Sequence, residues 1–286
     1  MGVLLLMLCG TLFLFGKELF MPTFAICQLN ASSDPAENLK KIAVCAGLAA
    51  GRAGLLLCPE YAMGFPDKGG PAVPGQPLDG PFVSGLRELA RVHSLWIVCG
   101  VLEESGDPAR PYNTAVVIDP TGAIVRTHRK HHLFDRGSAR ESDKFTPGDK
   151  LFEPLDTGFG RIGLLVCYEV RFPEVARLQA LAGAEYLLVL ASFVSGPGKR
   201  EAWHALLAAR AIENGCYVLG ADQVKPPVAV GESAAYGPDA RCIDKLDGEN
   251  EGIFFVDCDG ETVRSYRAGF PSLQQRRTDL YRLEKA

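Results

Sequence analysis

Residues 161–193 read RIGLLVCYEVRFPEVARLQALAGAEYLLVLASF, and the order of elements within this stretch determines the fold class. The apolar run at 161–169 is typical of a buried strand, and a second apolar run follows at 185–193. Between them, residues 173–183 have the apolar spacing of a helix. A strand, a helix and a strand in this order predict an α/β fold.

The same alternation extends in both directions from this stretch. Further strands are predicted at TFAICQLN (23–30), GLLLCPE (54–60), LWIVCGVLE (95–103), CYVLGADQ (216–223) and IFFVDCD (253–259). Further helices are predicted at 35–52, 79–93 and 199–214. No linker or internal repeat interrupts the pattern, so we expect a single domain.

Two segments connect or follow these elements. TAVVID (114–119) and AIVRTHRK (123–130) flank the turn residues Pro120–Gly122 and predict a hairpin. The polar residues 131–150 after it are typical of a long functional loop. A basic stretch around Arg276 and Arg277 predicts an extended tail that wraps a neighbour.

The first residues form an apolar run, VLLLMLCGTLFLF at 3–15. No basic residue precedes this run, no small-residue cleavage site follows it, and it is shorter than a membrane-spanning helix. We therefore expect residues 1–20 to be an extension produced by a misassigned gene start, with Met21 as the true first residue and 21–286 as the folded domain. A signal or anchor function of residues 1–20 is the alternative.

Composition and charge exclude several classes of protein. The chain has 286 residues, a net charge of −4 and nine cysteines. It has no basic stripe for nucleic acid or an anionic membrane surface. The cysteines form no CxxC pair and lie mostly in apolar runs, which is typical of reduced thiols in the cytoplasm. Apart from a local cluster at 128–132, the histidines show no metal-ligand spacing with cysteine, so neither a metal nor another cofactor is expected.

Three predicted strands are followed by a residue whose side chain can take part in catalysis: Glu60, Lys130 and Cys167. Ligands of α/β sheets bind beyond the carboxyl ends of strands, so these side chains can converge. A thiol nucleophile, a carboxylate base and a stabilising cation form a plausible catalytic set. Each residue alone is weak evidence, because most buried cysteines pack and most charged strand ends are solvated.

The sequences around these residues resemble the nitrilase, or carbon–nitrogen hydrolase, superfamily across Phe24 to Tyr281. The motifs that carry the resemblance are LCPEYAMGFP (57–66), RKHHLFD (129–135), CYEVRFPEVAR (167–177), ARAIENGCYV (209–218) and FPSLQQRRTDLY (270–281). The resemblance implies an α-β-β-α sandwich that forms a homodimer or a larger homo-oligomer. It also implies a carbon–nitrogen hydrolase domain over residues 21–286.

The resemblance assigns roles to the three residues. Glu60 is the implied general base, and Cys167 is the nucleophile that forms a thioester with the acyl group. Lys130 stabilises the tetrahedral intermediate, and the backbone N–H of Tyr168 is a further donor to the oxyanion. Glu141, in RESDKFTPGD, is expected to position Lys130 and the substrate. The alternative for Glu141 is an exposed loop carboxylate.

Residues near the nucleophile and the lysine have two interpretations. Arg171 could bind a substrate carboxylate, or form a structural ion pair with Glu174 or Glu169. His131 and His132 follow Lys130, and we interpret them as loop packing and hydrogen-bonding residues.

Within the superfamily, ASFVSGPGKREAWHALLAARAIEN (191–214) is similar to the deaminated glutathione amidases and omega-amidases. The implied substrate is a small amide that carries a carboxylate, cleaved with release of ammonia or an amine. Three positions depart from the family pattern: Glu169 stands for an aspartate, Ala202 precedes Trp203 where histidine is usual, and Ala240 replaces a turn glycine. We expect Ala240 to change the conformation of its turn if that position requires a positive φ.

Two alternatives stay open. A nitrilase or an N-carbamoyl amino acid amidohydrolase would use the same Glu60, Lys130 and Cys167 on another carbon–nitrogen bond. A non-catalytic assembly scaffold is the alternative from a different class of protein, and the intact set of three residues speaks against it. A membrane-bound acyltransferase is excluded because it needs several spanning segments.

Overall fold

Three parallel strands lie at the centre of each of two sheets, and these strands are buried on both faces. The computed structural model describes residues 5–8, 11–14, 21–65, 73–137 and 139–285. Apolar runs such as Leu55–Leu57 and Tyr186–Ala191 are wholly buried, as expected when one face of a sheet meets helices and the other meets a second sheet. The fold is a single-domain α-β-β-α sandwich, as predicted.

The strands are, in chain order, β1 (Leu5–Leu8), β2 (Thr11–Leu14), β3 (Thr23–Gln28), β4 (Leu55–Leu57), β5 (Trp96–Glu103), β6 (Tyr112–Ile118), β7 (Ile124–Arg129), β8 (Asp135–Arg136), β9 (Ala139–Arg140), β10 (Leu155–Asp156), β11 (Arg161–Val166), β12 (Tyr186–Ala191), β13 (Tyr217–Asp222), β14 (Ala234–Tyr236), β15 (Cys242–Lys245) and β16 (Gly252–Asp257). The helices are α1 (Pro35–Ala49), α2 (Pro81–His93), α3 (Pro173–Leu181), α4 (Lys199–Asn214) and α5 (Gly260–Gly269). Two 3₁₀ helices cover Glu141–Asp143 and Cys167–Arg171.

The first sheet has the order β16-β3-β4-β5-β6-β7, and the second has the order β10-β11-β12-β13-β14-β15. In the first, β3, β4 and β5 are parallel, and β16, β6 and β7 run antiparallel to their neighbours. In the second, β11, β12 and β13 are parallel, and β10, β14 and β15 run antiparallel to theirs. The carboxyl ends of the parallel strands are where α/β sheets place ligands.

In the first sheet, successive side chains of a central strand alternate between two hydrophobic cores. In β3, Phe24 and Ile26 belong to the core between the sheets, whereas Ala25 and Cys27 belong to the core beneath α1 and α2. Helices α3 and α4 cover the outer face of the second sheet. The period of two that separates these faces is the geometry of a β-strand.

Turn and cap residues determine where the helices begin and end. The side chain of Asp34 accepts a hydrogen bond from the Ala36 N–H at the start of α1. Helix α1 ends at Ala49, before the predicted end at residue 52, because Gly51 takes a φ of +67°. Helix α3 ends at Leu181, two residues before its predicted end, and Gly183 takes a φ of +94°.

Some elements lie outside the predicted set. Helix α5 was not predicted, because only Val263 of its residues is buried and its apolar pattern is correspondingly weak. Strands β1 and β2 pair antiparallel. The remaining residues of 1–20 are outside the described residues, so the expected N-terminal extension stays a prediction. Within the described residues, no helix is both long and apolar enough to cross a bilayer.

Candidate active site

Cys167 follows strand β11 and begins a 3₁₀ helix. Its backbone has a φ of +48°, a left-handed conformation that non-glycine residues rarely adopt. Such backbone strain clusters at functional sites, where the surrounding structure holds it in place. The side chain is buried, and its Sγ donates to the carbonyl oxygen of Ser192 over 3.8 Å.

Glu60 follows strand β4 and is 1% exposed. Its Oε1 accepts hydrogen bonds from Lys130 Nζ at 2.9 Å and from Asn113 Nδ2 at 2.7 Å. Its Oε2 accepts from the Ser192 N–H at 2.8 Å. Ser192 therefore contacts the Glu60 carboxylate through its N–H and the Cys167 thiol through its carbonyl oxygen. The side chains of Glu60 and Cys167 both lie against the backbone of this one residue.

Lys130 follows strand β7 and is as buried as Glu60. Its Nζ lies 2.9 Å from Glu60 and 2.8 Å from the nearer oxygen of Glu141. Burial alone would lower the pKa of Lys130, but the charges of Glu60 and Glu141 outweigh it and raise the pKa above its ordinary value. The side chain is therefore an ammonium held between two carboxylates.

Glu141 lies beside Lys130 rather than in solvent. Its side chain is 17% exposed and accepts hydrogen bonds from the Tyr61 hydroxyl at 3.0 Å and the Phe134 N–H at 2.7 Å. Burial and the charges of Glu141 and Glu60 raise the pKa of Tyr61, so its hydroxyl keeps the proton that it donates. These contacts favour the positioning role of Glu141 over the exposed-loop alternative.

The environment of Cys167 keeps its resting side chain as a thiol. Burial raises the pKa of Cys167 well above its ordinary value, Glu60 raises it further, and Lys130 opposes the shift. Because the thiolate is the nucleophilic form, attack by Cys167 requires a proton acceptor. The Glu60 carboxylate, held by three hydrogen-bond donors on the other side of Ser192, is the candidate acceptor.

A second buried carboxyl group shapes the same wall of the site. Asp222, the last residue of β13, accepts a hydrogen bond from the Phe193 N–H at 2.8 Å. Burial raises the pKa of Asp222 well above its ordinary value, and the neighbouring Glu60 contributes to the shift. Two successive N–H groups after β12, those of Ser192 and Phe193, are thus fixed by two carboxyl groups.

A partly open cavity adjoins Cys167. Its walls are formed by Phe134, Glu141, Cys167, Tyr168, Arg171, Ser192, Phe193, Val194 and Lys199. The cavity therefore includes the predicted Tyr168 and Arg171. The guanidinium of Arg171 lies over the Phe193 ring at 5.5 Å. Glu169, one of its two alternative ion-pair partners, is occupied by two histidines.

Lys199, the first residue of α4, adds a second cation to the cavity. Its Nζ lies 5.7 Å from the centre of the Phe193 ring. Burial lowers the pKa of Lys199, and the neighbouring charges of Arg171 and Arg136 lower it further. Mutual repulsion of this kind is relieved when an anion binds between the cations, so the cavity suits a substrate with a carboxylate.

The departures from the family pattern lie away from the cavity walls. Trp203 is fully buried and donates to the Glu232 carbonyl oxygen, and His204 contacts the Glu232 carboxylate at 2.5 Å. Ala240 has a φ of +65°. The expected change of turn is therefore wrong: this alanine adopts the left-handed conformation that favours glycine.

Some site residues carried too little signal in the sequence to be predicted. Asn113 directly precedes the predicted strand at 114–119 and carries no motif, and Ser192 acts through its backbone, which leaves no trace in the sequence. Tyr61 directly follows Glu60, and Lys199 begins a predicted helix, so position could have suggested both. Glu60, Lys130, Cys167 and Glu141 were predicted, and the structure brings them together.

The fold and this arrangement define a class of enzyme. The family model described as carbon–nitrogen hydrolase matches residues 23–268, and the chain belongs to that family, within the nitrilase superfamily. It is therefore an enzyme that hydrolyses carbon–nitrogen bonds other than peptide bonds.

Particular relatives narrow the comparison. The chain is 34% identical to human deaminated glutathione amidase, over 91% of this chain and 84% of that protein. It is 32% identical to mouse omega-amidase NIT2, over 92% of this chain and 99% of that protein.

Solved structures agree with the fold. The NitFhit protein of Caenorhabditis elegans superposes with a TM-score of 0.83 at 29% identity, over 92% of this chain and 66% of that one. An amidase of Nesterenkonia superposes with a TM-score of 0.75 at 27% identity, over 92% of this chain and 97% of that one. The latter is a glutamate-to-glutamine mutant with the acetamide moiety of fluoroacetamide bound covalently to its active-site cysteine.

Proposed function

We propose that this enzyme is an amidase that hydrolyses a small, carboxylate-bearing amide through a thioester of Cys167. The observation that carries the proposal is the pair of hydrogen bonds at Ser192. Its N–H donates to the Glu60 carboxylate, and its carbonyl oxygen accepts from the Cys167 thiol. A buried base and a buried nucleophile on opposite ends of one residue suit proton transfer during attack.

In the first half of the reaction, Glu60 accepts the thiol proton as the Cys167 sulfur bonds to the amide carbon. The carbonyl oxygen becomes an oxyanion, stabilised by the Lys130 ammonium and the Tyr168 N–H. Glu60 then returns its proton to the amide nitrogen. The carbon–nitrogen bond breaks, ammonia or an amine leaves, and the acyl group stays on sulfur as a thioester.

In the second half, water attacks the thioester. Glu60 accepts a proton from the water, a second tetrahedral intermediate forms at the same oxyanion donors, and the carbon–sulfur bond breaks. The sulfur recovers its proton, so the net reaction consumes one water and yields a carboxylic acid. Glu141 keeps the Lys130 ammonium in place during both halves.

The preference for an acidic substrate rests on the two cations of the cavity. Arg171 and Lys199 line its wall, and the planar guanidinium of Arg171 suits a bidentate contact with a carboxylate. The similarity to deaminated glutathione amidase and omega-amidase supports substrates of the deaminated glutathione or 2-oxoglutaramate type. The covalent adduct of the Nesterenkonia amidase supports a cysteine as nucleophile.

The test is ammonia release from a panel of substrates, with Cys167→Ala as the blank. The panel contains deaminated glutathione, 2-oxoglutaramate, glutamine, simple amides, carbamoyl amino acids and nitriles. A Cys167-dependent signal that is strongest for the acidic amides supports the proposal. Turnover confined to nitriles or carbamoyl amino acids contradicts it in favour of another carbon–nitrogen bond, and silence from folded protein favours a scaffold.

Compartment and assembly belong to the same proposal. The cysteines within the described residues are free thiols, which supports the cytoplasm. Leu181 of α3 and Ile212 of α4 are 37% and 46% exposed, and these apolar side chains support assembly through the helical layer. Light scattering of the purified enzyme tests this, and a monomeric mass would contradict the homodimer or larger homo-oligomer.

A further inference from the structure

Glu169, two residues after the nucleophile, is fully buried and does not line the cavity. Its Oε2 accepts hydrogen bonds from the Val166 N–H and from His128 Nε2, both at 2.8 Å. Its Oε1 accepts from the His131 N–H at 2.8 Å and lies 2.8 Å from His131 Nδ1. Four nitrogen atoms therefore surround one carboxylate.

The two backbone N–H groups belong to the immediate neighbours of catalytic residues. Val166 directly precedes Cys167 at the end of β11, in the second sheet. His131 directly follows Lys130 at the end of β7, in the first sheet. The Glu169 carboxylate therefore joins the nucleophile and the lysine across the two sheets through two short bonds to the main chain.

The histidines keep this carboxylate charged. Burial alone would raise the pKa of Glu169, but the charge and hydrogen bond of His128, together with His131, hold it well below its ordinary value. The His128 ring packs edge-on against Phe152, and that of His131 against His132, whose own ring stacks on Phe172. Aromatic neighbours thus hold the rings of both His128 and His131 in place.

A metal ion is the other occupant that such side chains could accept. His128, His131 and Glu169 offer ligand atoms within 4.8 Å of one another. However, three hydrogen bonds already reach the Glu169 carboxylate, from the Val166 N–H, the His131 N–H and His128 Nε2. The 2.8 Å separation between His128 Nε2 and Glu169 Oε2 is that of a direct hydrogen bond. The geometry favours a hydrogen-bonded cluster over a metal site.

We infer that Glu169, held by His128 and His131, is a positioning residue that fixes the nucleophile turn relative to Lys130. The inference rests on the proposed function, because it concerns the alignment of Cys167 with the oxyanion donors. Small misplacements of reacting groups slow an enzyme strongly, by about 100-fold for roughly 1 Å. Glu169 acts through the main chain of its neighbours and does not touch the substrate.

The experiment compares Glu169→Gln and Glu169→Asp with the wild type. Glutamine turns an N–H₂ toward one pair of donors, so we expect kcat to fall about 10- to 100-fold while KM changes little, since the cavity walls are unaltered. Aspartate keeps the charge but loses one methylene of reach, so its kcat should lie between the other two. The rate of Cys167 alkylation by iodoacetamide, which needs no substrate, should fall in the same order.

The matched control is Glu232→Gln. Glu232 is also buried and also contacts a histidine, His204, but it joins neither the nucleophile nor the lysine. It should lose stability without the selective loss of kcat. Equal losses of kcat in Glu169→Gln and Glu232→Gln, or wild-type kcat in Glu169→Gln, would overturn the inference.

A second pair of variants keeps the test decisive if Glu169→Gln does not fold. His128→Gln retains a nitrogen donor near the Nε2 position, whereas His128→Leu removes it. We expect the higher kcat and the faster alkylation in His128→Gln, and equal values in both variants would contradict the inference. Stoichiometric zinc in the purified wild type that is lost in His128→Leu would also overturn it, in favour of a metal site.

These outcomes are separate from a failure of the proposed function. If the wild type hydrolyses none of the amides, the proposed substrate is wrong, yet the alkylation rates still test Glu169. If the wild type turns over amides but the Glu169 variants behave as Glu232→Gln does, only the positioning role is wrong.

Discussion

The two sheets have the same pattern of strand directions but supply different parts of the site. Each has an antiparallel edge strand, three parallel strands and then two antiparallel strands. The first sheet supplies the charged pair, Glu60 and Lys130, at 2.9 Å. The second supplies the thiol of Cys167 and the backbone of Ser192.

The difference shows what topology determines and what it leaves to individual residues. Both sheets present carboxyl ends of parallel strands at the same edge of the sandwich, so both can contribute to one crevice. Strand β4 is followed by Glu60, whereas its counterpart β12 is followed by Ser192 and Phe193, which contribute N–H groups. The fold thus provides positions, and the residue after each strand provides the chemistry.

Replacing the proposed nucleophile removes the thiol that the second sheet supplies. In Cys167→Ala we expect the loss of at least about 1,000-fold in turnover, because no other group can carry the acyl intermediate. The substitution removes one buried sulfur, so circular dichroism should show an unchanged fold. Measurable Cys167-independent hydrolysis in a clean preparation would refute the thioester mechanism.

Replacing the proposed base, Glu60, tests the contribution of the first sheet. Glu60→Gln should reduce turnover by about 100- to 10,000-fold, the usual share of general acid–base catalysis. The same change removes a negative charge that raises the pKa of Cys167, so that pKa should fall. Turnover and thiol reactivity are therefore expected to change in opposite directions.

The pH dependence of the alkylation rate tests whether the pKa of Cys167 falls when Glu60 is replaced. Because burial and Glu60 raise the pKa of Cys167, the alkylation rate of the wild type should still rise by about tenfold per pH unit between pH 7 and 9. In Glu60→Gln the lower pKa of Cys167 should shift the rate profile to lower pH, so that the alkylation rate at pH 7 is higher than in the wild type. A slower rate in this variant would mean that Glu60 activates the thiol in the resting enzyme.

A smaller loss of turnover is expected when Glu141, which lies between residues of the two sheets, is replaced. Glu141 contacts Lys130 of the first sheet and lines the cavity beside Cys167 of the second. In Glu141→Gln, Lys130 keeps Glu60 as a partner, so turnover should fall by about 10- to 100-fold, less than in Glu60→Gln. A loss in kcat as large as that of Glu60→Gln would give Glu141 a direct share in proton transfer.

Sequence reasoning predicted those parts of the site that depend on local pattern. Glu60, Lys130 and Cys167 each follow a predicted strand and lie in motifs that resemble those of the family, and both signals are visible in the sequence alone. The 2.7 Å bond from Asn113 to Glu60 is not, because it joins residues of different strands. The cluster around Glu169 was also missed, since the sequence shows the longer side chain but not the two main-chain groups that it reaches.

The cavity cations should affect binding more than chemistry. In Arg171→Ala and Lys199→Ala we expect KM for acidic amides to rise by about 10-fold each, with a smaller effect on neutral amides. Steady-state kinetics on 2-oxoglutaramate and on a simple amide provides the comparison. If Arg171→Ala impairs both substrates equally, its role is structural, and Lys199 alone would account for charge recognition.

The smallest expected effect concerns a left-handed residue outside the site. Cys167 and Ala240 both have positive φ angles, +48° and +65°, but Ala240 lies in the turn between β14 and β15. Its N–H donates to the Gly237 carbonyl oxygen, so the turn itself is well formed.

Glycine adopts this conformation without steric cost but loses more entropy on folding, so Ala240→Gly should stabilise the protein by about 0.5–1 kcal/mol at most. Thermal unfolding should show a small rise in Tm, and amide turnover should be unchanged, because Ala240, unlike Cys167, does not line the cavity. A fall in turnover would show that this turn of the second sheet is coupled to the crevice.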